Sequence, residues 1–429
     1  MLIPNRIQVV TILSLPLLLH FAACGGSDGG SGPENSPPTA SIVAGDGGSY
    51  NTMLPGDVVK FTVVANDPDA QVLSFEWRLE PAEGSGILTS TSSREAEWTV
   101  GTTGSTVSVH CTVSDGIASV DANAGRSYLV GSPAPAGNSW PAAEVPYVLT
   151  AQRVVPLGET LTIAEGAVVE LRPAKVPGGY APFGLVVRGS LVVGSPTATD
   201  DATLRGNHRI FDGGDFQHRG LIFESNGSGQ LYRARVEDAE FGIEQQGGGT
   251  IQVVDCEVVD SVVGVLVSGV GSVGIRGGNF HRNGTGIEIN SSVASLDDVY
   301  SYDNELWGLN ITADASGSAR ANVVDCTFDD NGLGQIRVNT TSSPISLTMR
   351  SSDLFGEIGA TFVVASPLFC GAIDLDIIGN HWGVPGGPEE IIAMFANGTA
   401  CNAGVASWSQ TACSEPDFSD CDYSPVRFH

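Results

Sequence analysis

The sequence predicts an all-β chain, an N-terminal β-sandwich followed by a solenoid of strands wound in coils of about 22 residues. Three observations predict it. A Gly followed by an apolar residue returns at Gly220-Leu221, Gly242-Ile243, Gly264-Val265, Gly286-Ile287 and Gly308-Leu309, and each step is 22 residues. A fixed period of this size marks a repeat fold, in which each unit buries its apolar side against its neighbours. Within that period Val265-Leu266-Val267, Ile287-Glu288-Ile289 and Leu309-Asn310-Ile311 share one angular position and read as strands lining an interior. Helix-turn-helix repeats need about 33 residues or more, and the leucine-rich consensus is missing. Upstream, residues 39–130 alternate short strands with turn signals, the pattern of a sandwich.

The corners of the coils are legible in the same register. Four residues before the Gly stand Asp238, Asp260, Arg282 and Asn304, and at the looser next step Asp330-Asn331 lead to Gly334. Asn and Asp accept left-handed turns and bond their own backbone, and stacked Asn side chains also bond along the axis. The spacing therefore predicts a structural ladder through Asp238, Asp260, Asn304 and Asn331, with an acidic functional stripe as the rival reading. The pattern N/D-x-x-x-G-I/L/V resembles the right-handed parallel β-helix proteins of the pectate-lyase-like superfamily, over residues 145–390.

Residues 1–23 carry an Arg, an apolar run through Val9-Val10-Thr11-Ile12-Leu13 and Leu17-Leu18-Leu19, then small residues before Cys24. This is the pattern of a secretory signal, too short for a membrane span. Phe21-Ala22-Ala23-Cys24 resembles the lipobox of bacterial lipoproteins, which implies cleavage before Cys24 and diacylation of its thiol. Phe21 departs from the Leu usual in that family, and an ordinary secretory signal is the alternative. Gly25 resembles lipoproteins that travel on to the outer membrane, so the expected location is the bacterial cell surface. Residues 24–38, rich in Gly, Ser and Pro, read as a flexible tether.

In the sandwich the strands include Val58-Val59-Lys60-Phe61-Thr62-Val63, Leu73-Ser74-Phe75-Glu76-Trp77, Glu97-Trp98-Thr99-Val100 and Val107-Ser108-Val109-His110-Cys111-Thr112-Val113. The strings A-N-D-P-D, L-S-F-E-W and V-S-D-G resemble the PKD and cadherin-like immunoglobulin-fold modules of bacterial surface proteins, which implies a spacer or adhesive role. Asp67, Asp69 and Asp115 fit either oxygen ligands for calcium or Asx-turns at strand corners. Residues 131–144 read as a Pro/Gly/Ser linker. The solenoid opens with G-E-T-L-T-I-A-E-G, similar to the opening coils of surface β-helices, and its first coil needs a cap. After Gly308 the period loosens to 26 at Gly334 and 25 at Gly359. Asn380-His381-Trp382-Gly383 resembles the N-x-W-G ending of such proteins, and residues 391–429 read as a cysteine-rich cap.

Composition supports export. The net charge is −28 with only Lys60 and Lys175 as lysines, which disfavours nucleic acid and anionic membranes as partners. Membrane attachment is expected through the N-terminal lipid alone. Of eight cysteines, Cys24 is assigned to lipid. Cys256 and Cys326 recur in V-V-D-C three coils apart, about 14 Å at the strand spacing, beyond disulfide reach; they and Cys111 read as interior thiols. Cys370, Cys401, Cys413 and Cys421 crowd the C-terminus and suggest two disulfides with three connectivities open.

The β-helix resemblance also implies an enzymatic option, because lyases and glycosidases on this scaffold line one face with carboxylates. The candidates are Asp255, Asp297, Asp298 and Asp325. Asp297 and Asp298 with Arg276, one coil below, form the one constellation. The polygalacturonase strings G-H-G, N-T-D and R-I-K are missing, and fold alone does not confer chemistry. The expectation is a non-catalytic surface protein presenting a rigid β-helix to a polysaccharide or a surface protein. A carbohydrate-active lyase or hydrolase and a structural surface-layer protein are the alternatives. No cofactor is required, and calcium is the one ion the sequence suggests.

Overall fold

A computed structural model describes residues 34–45, 50–102, 104–176, 179–207, 217–340, 343–355, 362–365, 373–378, 380, 395–397 and 426–428. Cys24, Cys370, Cys401, Cys413 and Cys421 lie outside them. All regular elements among the described residues are strands.

Two four-stranded sheets form the N-terminal unit. One runs Thr39–Ala44, Val58–Asn66, Glu95–Val100, Gly86–Thr89, and the other Thr52–Met53, Ser119–Val130, Thr106–Ser114, Ser74–Glu80. Alternation decides which side faces in. In Thr106–Ser114 the residues Val107, Val109, Cys111 and Val113 are buried and their neighbours are not. Between the sheets Tyr128 packs edge-on against Phe61 and Trp98, with ring centroids 5.8 and 5.5 Å away. Trp98 Nε1 donates to Ser85 O at 2.8 Å, so its one polar atom is satisfied in the core.

The C-terminal unit is a solenoid of three long sheets, which the chain visits in turn in each coil. In the coil that starts at Gly220 these are Gly220–Phe223, Ser228–Tyr232 and Ala234–Glu237, in the first, second and third sheet respectively. Successive coils pair in parallel: Leu221 lies opposite Ile243, Ile243 opposite Val265, Val265 opposite Ile287 and Ile287 opposite Leu309. The inward residues make one continuous core. In its third-sheet column Phe280, Ser301 and Phe328 follow one another, a small residue between two large ones, as dense packing of stacked layers requires. Truncating Phe280 to Ala would cost about 3–5 kcal/mol.

Close stacking explains the glycine period. A Cβ on Gly264 would sit 2.4 Å from the carbonyl oxygen of Gly286, and one on Gly286 would sit 2.8 Å from that of Gly308. The next coil's backbone thus crowds both positions, and at Gly286 the Ser301 hydroxyl, 2.2 Å from such a Cβ, crowds it further, so only hydrogen fits there.

Equal glycine spacing conceals a slip. In the second and third sheets Arg276 lies opposite Asp297 and Asn279 opposite Tyr300, steps of 21, whereas Thr285 lies opposite Trp307, a step of 22. One residue is lost at the corner after Asn290 and regained at the corner before Trp307. At the next coil Gly334 lies opposite Trp307, so Gln335 rather than a glycine faces Gly308.

The segment 131–144, expected as a linker, is the solenoid's first coil. Ser132–Pro133 pairs with Tyr147–Leu149, and Ser139–Trp140 pairs with Thr160–Ile163, both in parallel. Trp140 is buried, and its Nε1 donates to Pro135 O and Gly137 O at 3.0 and 3.1 Å. These apolar and backbone contacts outweigh the flexibility that Pro, Gly and Ser composition suggests.

The sandwich meets the solenoid just beyond the third-sheet strands Val168–Leu171 and Ala202–Gly206. Asn207 Oδ1 accepts from Thr52 N at 2.8 Å and its Nδ2 donates to Thr52 O at 3.0 Å. Arg172 Nη1 donates to both carboxylate oxygens of Asp57, at 3.0 and 2.8 Å, while its guanidinium lies 4.3 Å from the Tyr50 ring centre. Both Asn207 and Arg172 are buried.

Candidate functional site

From Gly220 to Asp330 each coil turns two of its corners on a residue with a left-handed backbone. Between the second and third sheets these are Arg233, Asp255, Gly277, Asp298, Asp325 and Ser351, with φ from 49° to 68°. Between the third and first sheets they are Asp238, Asp260, Arg282, Asp303 and Asp330, with φ from 47° to 61°. Asp and Asn tolerate this geometry better than other non-glycine residues. Asp255, Asp298 and Asp325 thus occupy a turn position that every coil must fill.

Arg276 lies opposite Asp297, not Asp298, because of the 21-residue step. Its Nε is 3.7 Å from Asp297 Oδ2, with both side chains more than half exposed. Such a pair contributes about 0–1 kcal/mol at most. Asp298 is exposed at its corner, so the expected trio forms one surface ion pair and one turn residue.

The predicted ladder divides into two neighbouring columns. Asp238 and Asp260 belong to the left-handed corner, whereas Asn304 and Asn331 lie one position later, stacked with Asn283 and buried. Asn304 Oδ1 accepts from Asn283 N at 3.0 Å and its Nδ2 donates to Phe280 O at 3.0 Å. Asn331 repeats the pattern on Asn304 N and Ser301 O, both at 3.1 Å.

In the sandwich Asp67 Oδ1 accepts from the N–H groups of Asp69 and Gln71 at 2.8 and 3.1 Å. Asp69 Oδ2 accepts from Ser36 N at 2.7 Å. Asp115 Oδ1 accepts from Ala118 N and Ile117 N at 2.6 and 2.7 Å and its Oδ2 from Asn35 Nδ2 at 3.0 Å, and the bonds from Ala118, then Asn35, then Ile117 hold its carboxyl below the usual range. Asp67 and Asp115 thus accept from the backbone of their own turns, while Asp69 and Asp115 also tie the segment Asn35-Ser36 to these turns. Among the described residues no group of three or more His, Cys, Asp or Glu is placed to hold a metal ion. Cys111, Cys256 and Cys326 are buried free thiols, pushed up by burial to about 11, 12 and 12.

The outward face of the third sheet brings chemistry-bearing side chains together. One column reads Arg235, Glu257, Asn279, Tyr300, Thr327, and the other Glu237, Val259, His281, Tyr302, Asp329. Tyr300 and Tyr302 point to the same side of their strand and stack with centroids 4.3 Å apart. His281, one coil below, stacks on Tyr302 at 4.7 Å and 7°. Its Nε2 donates to Glu257 Oε1 at 2.8 Å. Arg235 bonds both Glu237 and Glu257, and Arg282 grips Asp260 with two bonds of 2.9 and 2.7 Å. Tyr300 is 37% exposed, so the ring stack opens to solvent.

The charges around the rings are unevenly balanced. Burial pushes the Glu257 carboxyl up, but the bonds from His281 and Arg235 outweigh it and hold it low. The bond from Arg282 lowers Asp260. Asp329, by contrast, is raised by burial and by its neighbour Asp330.

A second outward column, on the first sheet, reads Glu244, Leu266, Glu288, Asn310, Arg337. Burial raises both Glu244 and Glu288. Glu244 Oε1 accepts from Gln246 Nε2 at 2.7 Å, and Arg219 Nη2 is 3.7 Å from its Oε2. Neither column was anticipated as a site. Tyr300-Ser301-Tyr302 carries the alternation that would have exposed it, but alignment on the glycine period sets this strand one residue out of step.

Residues 197–355 match the family model described as right handed beta helix region, a span that includes both faces. Comparison with the curated proteins and with the solved structures finds no match.

Proposed function

We propose that this chain is an exported, lipid-anchored surface protein whose β-helix binds a glycan on the third-sheet face. The observation that carries the reading is the solvent-open stack of Tyr300, Tyr302 and His281 within a ring of carboxylates and guanidinium groups. Sugar C–H faces pack on aromatic rings while hydroxyls meet charged acceptors and donors, and an aromatic residue with a polar tip serves both. Attachment through Cys24 and delivery to the cell surface rest on the leader sequence. The sandwich then spaces the β-helix outward.

A hydrolase is the second reading, and the first-sheet column favours it over the Arg276, Asp297 and Asp298 trio. Glu244 and Glu288 are two coils apart, about 9.6 Å by strand spacing. That is near the separation at which two carboxyl groups accommodate a water in inverting glycosidases, about 6.5–9.5 Å. Their upward shifts suit proton donors.

One assay separates the two. The chain from Gly25 onward is incubated with neutral, amino and acidic polysaccharides, and both retention and chain cleavage are recorded. The binding reading expects retention without cleavage, weakened about tenfold by Tyr302→Ala through loss of the ring contact. Cleavage abolished by Glu288→Gln would replace that reading with the enzymatic one. Neither retention nor cleavage would leave the structural surface-layer role.

A further inference from the structure

Resting on the glycan reading, we infer that the ring platform selects a glycan carrying free amino groups and rejects acidic ones. Every guanidinium group beside the platform is already committed. Arg282 is held bidentate by Asp260, and Arg235 bridges Glu237 and Glu257. On the other side of the rings stand Asp303, Asp329 and Asp330, and among the described residues no ion pair reaches any of them.

Tyr300 joins these carboxylates to the platform, its hydroxyl donating to Asp329 Oδ2 at 3.4 Å. Asp303 and Asp330 occupy the left-handed corners of two successive coils, and Asp329 ends the strand beside them. Backbone geometry therefore fixes the three at one corner of the platform, where Asp329 and Asp303 act on Tyr300 and Asp330 acts on Asp329. The upward shift of Asp329, caused by burial and then by Asp330, reports the same crowding of like charge.

An alkylammonium group answers both features at once. It is attracted by the face of an electron-rich ring, and it neutralises carboxylates that have no cation of their own. A uronate or sulfate group placed there meets like charge and finds no free guanidinium. A hexosamine polymer presents such an ammonium on a ring whose C–H face packs on tyrosine.

The test compares three probes of equal length: β-1,4-linked glucosamine oligomers, the same oligomers N-acetylated, and galacturonic acid oligomers. Binding is measured by calorimetry at slightly acidic pH and in physiological salt, so that the diffuse attraction of an acidic protein is screened. The glucosamine oligomer is expected to bind at least about tenfold more tightly than the acetylated one, with no binding of the acidic oligomer. The double variant Asp303→Asn, Asp329→Asn is expected to abolish that preference and leave the acetylated oligomer unaffected. A control of the same net charge, Asp297→Asn with Asp298→Asn, is expected to keep it. Equal binding of the amine and acetylated probes, preference for the acidic probe, or loss of preference in the control would overturn the inference while the glycan reading stands. Failure of all three probes, with neutral polysaccharides also unbound, would remove the glycan reading and the inference together.

Discussion

Asn283, Asn304 and Asn331 climb one corner of the solenoid, and Arg282, Asp303 and Asp330 climb beside them, each one residue earlier in the chain. The earlier column supplies the left-handed backbone that turns the corner, and its side chains reach solvent. The later column is buried, and each of its amides satisfies both an N–H and a carbonyl of the coil below. Asn and Asp serve both needs, so residue type does not separate them. Burial does, and it assigns energy to one column and freedom to vary to the other.

The largest expected effect breaks the buried column. Asn304→Ala leaves Asn283 N–H and Phe280 C=O buried without these partners, which should cost about 2–6 kcal/mol, since each orphaned group costs about 1–3. Urea unfolding measures this, and a loss below about 1 kcal/mol would mean that the ladder does not hold the coils together.

A smaller and opposite effect is expected next door. Burial, then the charges of Glu237 and Asp260, push Asp238 up to about 6 from 3.8. Because the folded form holds its proton more tightly, the stability tied to that proton is complete below about pH 4 and is lost as pH rises through about 6. Asp238→Asn keeps a residue that accepts the left-handed corner. It should add about 1–2 kcal/mol at pH 7.5, after allowance for partial solvation, and progressively less toward pH 5. Stabilisation independent of pH would assign the gain to something other than the carboxylate.

The smallest effect lies at the other corner. Asp298→Asn, exposed and with its backbone requirement met, should change stability by no more than about 0.5 kcal/mol. A larger loss would show that this aspartate makes a contact its corner position does not require.

The coil architecture was legible because its causes repeat. Gly242, Gly264 and Gly286 answer the same backbone approach in every coil, and Val265, Ile287 and Leu309 enter the same core. The site was less legible because outward positions have no such shared cause. Reading Tyr300 and Tyr302 as one platform with His281 requires the 21-residue step, and a deletion at one corner balanced by an insertion at another leaves the glycine spacing unchanged. The segment 131–144 misled for a related reason. Composition describes how a free chain behaves, whereas Trp140 is held in a core that only the next coil creates.

The seam between sandwich and solenoid gives the molecule a mechanical character. Arg172 and Asn207 join the solenoid to residues 50–57 of the sandwich, and Ser132–Pro133 continues directly from the strand Ser119–Val130 into the stacked coils. Bending at that junction would have to break a charge-assisted pair and backbone bonds together. From the second-sheet strand Ser139–Trp140 to Val293–Asp297, beside the tyrosines, there are six strand spacings, about 29 Å. The strand count thus sets the height of the tyrosines above the junction with the sandwich.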